Sequence, residues 1–238
     1  MTDDARANRL LRGLPAETLE QVAPSLSFVE LRRREVIFRA GDPIPSIYFP
    51  LSGLTSFVVT DVAGNSVEVA AVGREGALGL AAVLATAVPI ADAVQLISGQ
   101  AASLSTARFL ELFDALPAFH HSIDRYLGVL FIEAAQGSAC HRLHGLRART
   151  ARWLLTARDR VGSDDLPLTH ELLALLVGGS RSKVTVAVGS LERSGIVTYH
   201  RGRLAIRDPD ALEAVACACY GVVRAAMRRL EAADGSDG

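Results

Sequence analysis

The residues with the most chemistry to offer lie in one stretch, Thr169 to Glu192, which reads THELLALLVGGSRSKVTVAVGSLE. Arg181, Ser182, Lys183 and Thr185 cluster just after Ser180, a residue type that caps helix N-termini. An arginine there can donate two parallel hydrogen bonds to guanine O6 and N7, and hydroxyls can serve bases or phosphates. A helix N-terminus adds its own attraction for phosphate. The flanking residues explain how such a cluster would be held. Thr169 is a second cap, with Glu171 in the first turn behind it; Leu172, Leu173 and Leu176 form an apolar stripe, and Gly178-Gly179 ends the helix. Val184, Val188 and Leu191 then point inward at helical spacing, leaving the polar start of the second helix outside. Two short helices across a tight glycine turn predict a helix-turn-helix whose second helix enters the major groove. Downstream, Gly195–Tyr199 and Leu204–Ile206 bracket the basic turn His200-Arg201-Gly202-Arg203, which predicts a wing reaching the phosphate backbone. A single arginine on a helix is usually only solvated. Caps, double glycine, inward valines and basic wing together point to DNA, through Thr169, Ser180, Arg181, Ser182, Lys183, Thr185, Arg201 and Arg203.

The chain's charge conceals this at first. Its 238 residues carry 25 basic and 26 acidic side chains, a net charge of −1. Resolved along the chain, residues 1–140 carry −5, residues 141–207 carry +7 and residues 208–238 carry −3. A basic block between acidic ones is expected when one domain meets a polyanion and its neighbour does not. Half of the residues are hydrophobic, which excludes a disordered or fibrous chain. The longest apolar stretch, Ala77 to Ala91, is interrupted by Gly79, Thr86 and Pro89, so no membrane span is expected. The start MTDDARANRL lacks the pattern of a secretory signal, which predicts a cytoplasmic protein. Cys140, Cys217 and Cys219 cannot all pair and are too few for a disulfide scaffold.

The elements that must position the site change in texture along the chain. Residues 1–25 read as short helices. From Ser27 to Ser105, runs such as Glu35–Phe38, Ser46–Phe49, Ser56–Thr60, Ser66–Val72 and Ala93–Ile97, separated by turn residues, predict a small antiparallel barrel or jelly roll. Asp61-Val62-Ala63-Gly64-Asn65 reads as a hairpin loop. Arg108–Leu116 is a short helix, and Ala118–His144 a long one. Along the latter, Phe119, Ile123, Tyr126, Leu130, Ala134, Gly137, His141 and His144 recur in steps of three and four, the seam of a coiled-coil dimer. Leu146–Val161 is a further, arginine-rich helix, and Gly162–Asp165 a turn. The expected fold class is α+β, in three parts: a sensor domain (1–116), a dimerisation helix (117–144) and a winged helix-turn-helix domain with a C-terminal helix (145–238).

The segments VGGSRSKVTVAVGSLERSGIV, FRAGDPIPSIYFPLSG and GREGALGL make the chain resemble the Crp/Fnr family of transcription regulators over about residues 10–207. The resemblance implies a cyclic-nucleotide-binding-like barrel, a long dimerisation helix and a DNA-binding winged helix-turn-helix. It implies a palindromic double-stranded operator, a second copy of the chain and RNA polymerase as partners, with Arg181 and Ser182 at base edges and Lys183 and Thr185 beside them. A further basic contact of the family stands here as Val186, so the operator should differ from the best-known one.

The sensor half departs further from the family. Its nucleotide-binding members have a glutamate after the glycine that here is Gly76, followed in this chain by Ala77 and Leu78, and an arginine later, whereas Val88–Ala93 holds no basic residue. Ala134 and Ala135 replace the polar pair of the long helix, so Gly76, Ala77, Leu78, Ala134 and Ala135 would outline a degenerate pocket. A cyclic phosphate buried without a cation pays a heavy desolvation cost, so cyclic AMP is not expected to bind in the usual way. No cofactor is expected. There is no N-terminal cysteine cluster for iron and sulfur. Cys140, His141 and His144 are close enough on a helix for a haem or metal site, but with two of them on the seam and no further ligand nearby they read as packing residues; Cys217 and Cys219, two apart and diverging on a helix, read as packing residues rather than a ligand pair, with a redox role as the alternative. No nucleophile triad, phosphate loop or metal-ligand spacing suggests an enzyme. The competing reading is a ligand-gated module whose helix-turn-helix binds a protein rather than DNA.

Overall fold

Helices α1 (Thr2–Ala5), α2 (Arg9–Gly13) and α3 (Ala16–Val22) come first and lead, among the described residues, into seven strands. These are β1 (Ser27–Leu31), β2 (Val36–Phe38), β3 (Ser46–Pro50), β4 (Leu54–Thr60), β5 (Ser66–Val72), β6 (Asp92–Ile97) and β7 (Gly99–Ser105). The computed structural model describes residues 2–84 and 88–234, so Thr86 of the sequence reading lies outside the described residues. One antiparallel sheet has the order β1-β7-β3 and the other β2-β6-β4-β5. Leu31, Phe38, Val72, Ala93 and Ala101 join the two sheets in a shared core. The β4–β5 loop closes as its chemistry predicts: Asp61 Oδ1 accepts from the amides of Ala63 and Asn65 at 2.8 and 2.9 Å, and Gly64 takes φ +84°. Strands β1 and β7 were not distinguished by composition. The QAASLS run of β7 has few β-branched residues and is held by pairing on both edges.

Helix α4 (Thr106–Ala115) starts where the Ser105 side chain accepts from the Arg108 amide, and α5 (Pro117–Leu143) carries its proline in the first turn, where a missing N–H costs nothing. The first half of the expected seam needs correction. Phe119, Ile123 and Tyr126 are buried in their own chain's core with Phe49 and Phe109, so they anchor α5 to the barrel. Leu130, Gly137, His141 and His144 are only partly buried, and Ala134 is exposed. Beside these residues runs an exposed stripe, Gly128, Phe131, Ala135 and Ser138, with Phe131 76% exposed. It lies roughly 100° around the helix from the predicted one, the consequence of a helix with apolar residues on two faces.

Helix α6 (Leu146–Val161) ends at Gly162 in the left-handed region, the expected turn follows through Asp164, and its last residue, Asp165, opens the short strand β8 (Asp165–Leu166). Next come α7 (His170–Leu176), α8 (Arg181–Arg193), β9 (Val197–His200), β10 (Arg203–Ile206), α9 (Pro209–Val215) and α10 (Cys219–Asp234). Trp153 and Leu154 of α6 pack with Leu173, Val184, Val188 and Leu204, and this core continues into Leu54, Ala71 and Leu96 of the barrel. Cys217 precedes α10 rather than sharing a helix with Cys219, so the two thiols converge on Cys140 instead of diverging. Among the described residues no single helix is long and apolar enough to cross a membrane.

Two buried polar groups join the parts. Arg160 of α6 reaches Glu75 of the barrel (Nε to Oε1, 2.8 Å) and Glu133 of α5 (Nη2 to Oε2, 2.7 Å). Burial works against its charge, but the two carboxylates hold the guanidinium protonated above its ordinary range. Glu68 of β5 accepts from Trp153 Nε1 at 2.5 Å and Ser56 Oγ at 2.6 Å. Burial lifts its carboxyl from an ordinary 4.5 to about 7, despite the opposing effect of both bonds. A carboxyl raised on folding binds more protons folded than unfolded, so stability declines as pH rises from about 4.5 and the loss is complete above about 7. Glu68→Gln removes the titration and keeps an acceptor. Thermal denaturation between about pH 5 and about pH 8 should show the variant gaining on the wild type as pH rises, by up to about 3 kcal/mol. A pH-independent difference would contradict the assignment.

Candidate nucleic-acid interface

The Thr169 hydroxyl accepts the Leu172 amide at 3.1 Å and that of Ser180 accepts the Lys183 amide at 3.4 Å, so both expected caps are made. Between the helices Gly178 adopts φ +61°, and the axes of α7 and α8 are bent by 103°. Leu173, Leu176, Val184, Val188 and Leu191 are buried, which turns Arg181, Ser182, Lys183 and Thr185 outward. Val186 is 69% exposed on the same helix, an apolar side chain that could meet only a thymine methyl or another apolar edge in a groove.

The wing is a two-residue hairpin in which His200 pairs with Arg203, and both turn residues have positive φ: Arg201 at +45° and Gly202 at +78°. A shallow groove is lined by Thr169, Glu171, Arg181, Tyr199 and Arg201, so wing tip, cap and recognition helix share one face. Arg203 points elsewhere. Its Nη2 donates to Asp165 Oδ2 at 2.7 Å across β8, and a phosphate would have to displace that carboxylate.

His170 was not singled out from sequence, yet it braces the interface. Its ring stacks on Tyr199 with centroids 4.1 Å apart, and Nδ1 lies 3.0 Å from Thr185 Oγ1. Thr185 Oγ1 in turn donates to the Arg181 carbonyl at 2.9 Å, so its proton is committed and its remaining capacity is as an acceptor. Desolvation, then the Arg181 charge, lowers the His170 pKa, which keeps the ring neutral in this role. The sequence signal was available in retrospect: a histidine at the first position of α7, followed by a tyrosine on the wing strand.

The degenerate pocket is not assembled within one chain. Ala77 and Leu78 are buried, Ala134 and Ala135 lie exposed on α5, and a Cβ at Gly76 would sit 1.8 Å from the Tyr126 hydroxyl. Tyr126 fills the space over the glycine.

Two family models match: a cyclic nucleotide-binding domain over residues 28–115 and a Crp-like helix-turn-helix domain over residues 148–215. No curated protein matches. Among solved structures, CLP of Xanthomonas campestris, described as a c-di-GMP-responsive global regulator, is 18% identical with a TM-score of 0.67, covering 81% of this chain and 99% of its own. FixK2 of Bradyrhizobium japonicum is 14% identical with a TM-score of 0.70, covering 81% of this chain and 98% of its own. A transcriptional regulator of the Crp/Fnr family from Eubacterium rectale is 15% identical with a TM-score of 0.66, covering 87% and 96%. At these identities the likeness is one of fold.

Proposed function

We propose, from the premise that the chain belongs to the Crp/Fnr family of transcription regulators, that it acts as a homodimer reading a palindromic operator through α8. The observation that carries this reading is the shared face of Arg181, Thr169 and Arg201 beside the exposed polar end of α8. Arg181 supplies bidentate recognition of a guanine, Ser182 and Lys183 contact bases or phosphates, and Val186 supplies the apolar contact. Arg201, Ser180 and Thr169 position the module on the backbone. The outward stripe Gly128, Phe131, Ala135 and Ser138 supports pairing with a second α5, since its small residues allow close approach around the phenylalanine. Dimer symmetry sets two half-sites roughly 34–36 Å apart. RNA polymerase is the partner through which bound dimers would change transcription.

The barrel is proposed not to take cyclic AMP in the usual way, supported by the filled space over Gly76. Calorimetry should give no submillimolar binding, and such binding would overturn that part of the reading. The operator itself is testable by selection from a random duplex library. Wild-type protein should enrich a palindrome with a fixed G·C pair in each half-site, and Arg181→Ala should lose preference at that pair alone, costing about 1–3 kcal/mol. No enrichment would leave the protein-binding alternative standing.

A further inference from the structure

The end of α5 and the start of α10 bring four metal-ligating side chains together from two distant segments. Cys140 and His144 are four residues apart, on one face of the last turn of α5 and its cap, while Cys217 and Cys219 flank the turn that opens α10. Cys140 Sγ is 3.4 Å from Cys217 Sγ, and Cys219 Sγ is 3.4 Å from His144 Nδ1. All four ligand atoms lie within 4.8 Å of one another, with the three cysteines buried and the histidine partly so.

We propose that Cys140, His144, Cys217 and Cys219 form a mononuclear tetrahedral site for a zinc-type divalent cation. With metal–sulfur bonds of about 2.3 Å and a metal–nitrogen bond of about 2.0 Å, tetrahedral ligand atoms stand roughly 3.5–3.8 Å apart. The observed cluster needs only small side-chain adjustments to reach that spacing. In a four-iron cluster each thiolate binds a different iron, so its ligand atoms would stand farther apart than these do. Three thiolates with one imidazole are also the soft and borderline donor set that selects zinc over magnesium or calcium.

The surroundings fit such an ion. Gln136, one turn before Cys140, donates from Nε2 to Cys219 Sγ at 3.1 Å, the outer bond that steadies a thiolate ligand. The Arg152 charge is felt at Cys140, and its buried Nε has no hydrogen-bond partner among the described residues. It would offset the single negative charge of a zinc ion held by three thiolates and a neutral imidazole. Cys217 and Cys219 lie just beyond the matched helix-turn-helix domain, which ends at residue 215. The ion would therefore clamp the C-terminal helix to the long helix, a structural role.

Full-length protein, reduced and stripped by chelation, provides the test. Titration with cobalt(II) should saturate at one equivalent and develop the intense visible bands of a tetrahedral cobalt thiolate, which zinc(II) should bleach by displacement. Because loss of an outer-shell partner alone costs roughly 10–100-fold, Cys219→Ala and His144→Ala should each weaken metal binding by more than about 100-fold. Zinc should raise the melting temperature of the wild type and not that of Cys219→Ala, while circular dichroism confirms that the variant is folded. Pale octahedral cobalt, or affinity unchanged in a folded variant, would overturn the proposal.

Discussion

Replacing Arg160 with methionine should cost roughly 3–5 kcal/mol of stability at neutral pH, because it strands two buried carboxylates while leaving the cavity filled. Glu75 and Glu133 approach the guanidinium at 2.8 and 2.7 Å, and the side chains of all three residues are less than a tenth exposed. The urea midpoint should fall with little change in slope. The deficit should shrink toward acid pH, where the stranded carboxylates take up protons and shed their desolvation cost. Adding Glu75→Gln and Glu133→Gln to the arginine variant should restore much of the loss, since a fully neutral network leaves no charge unpaired. A deficit under about 1 kcal/mol would mean that the triad is wetter or looser than its geometry. The effect should extend to function, since the three residues belong to the barrel, the long helix and the first helix of the DNA-binding half.

Phe131→Glu should leave the protomer folded and dissociate the proposed dimer. The side chain is 76% exposed, so its removal opens no cavity, and in a parallel pair of α5 helices the new carboxylates would oppose one another along the stripe. Thermal denaturation extrapolated to low concentration should match the wild type, while sedimentation should report a monomer. Operator affinity should then drop by a factor of about 10²–10⁴, the gain lost when two half-sites are no longer bound by one linked molecule. A variant that stays dimeric would move the interface elsewhere; Phe119→Glu, by contrast, should unfold the chain, because Phe119 lies in the core.

What could be read from the sequence was local. Thr169 and Ser180 mark helix starts by side-chain chemistry that acts within four residues, and α7 and α8 begin where those caps place them. The helix-turn-helix and wing followed for the same reason. Strands β1 and β7 were harder, because Ala, Gly and Ser become strand residues only when neighbours supply the ladder. The first three residues of the expected α5 seam were misassigned because periodicity reports that a stripe is apolar, not what covers it. Phe119, Ile123 and Tyr126 meet the chain's own barrel. Long-range chemistry was invisible. Arg160 with its two glutamates, His170 with Tyr199, and Cys140 with Cys217 each depend on a fold that unites residues far apart in the chain. Arg203 shows the converse, a basic wing residue whose partner Asp165, expected as the last residue of a turn, opens the strand β8.

The central claim, sequence-specific DNA recognition through α8 with backbone support from the wing, is tested most directly by measuring affinity against salt on two duplexes. One carries the selected operator and the other a scrambled sequence of equal length; fluorescence anisotropy reads both for the wild type, Arg181→Ala and Arg201→Asn. Asparagine tolerates the positive φ of Arg201, so that variant removes the charge and keeps the turn. Wild-type affinity should fall steeply as salt rises on both duplexes, with the operator bound roughly 10³-fold or more tightly. Arg201→Asn should weaken both duplexes alike and reduce the slope by about one, whereas Arg181→Ala should shrink the gap between them. Equal affinity for the two duplexes, with a salt dependence that neither variant alters, would contradict the account.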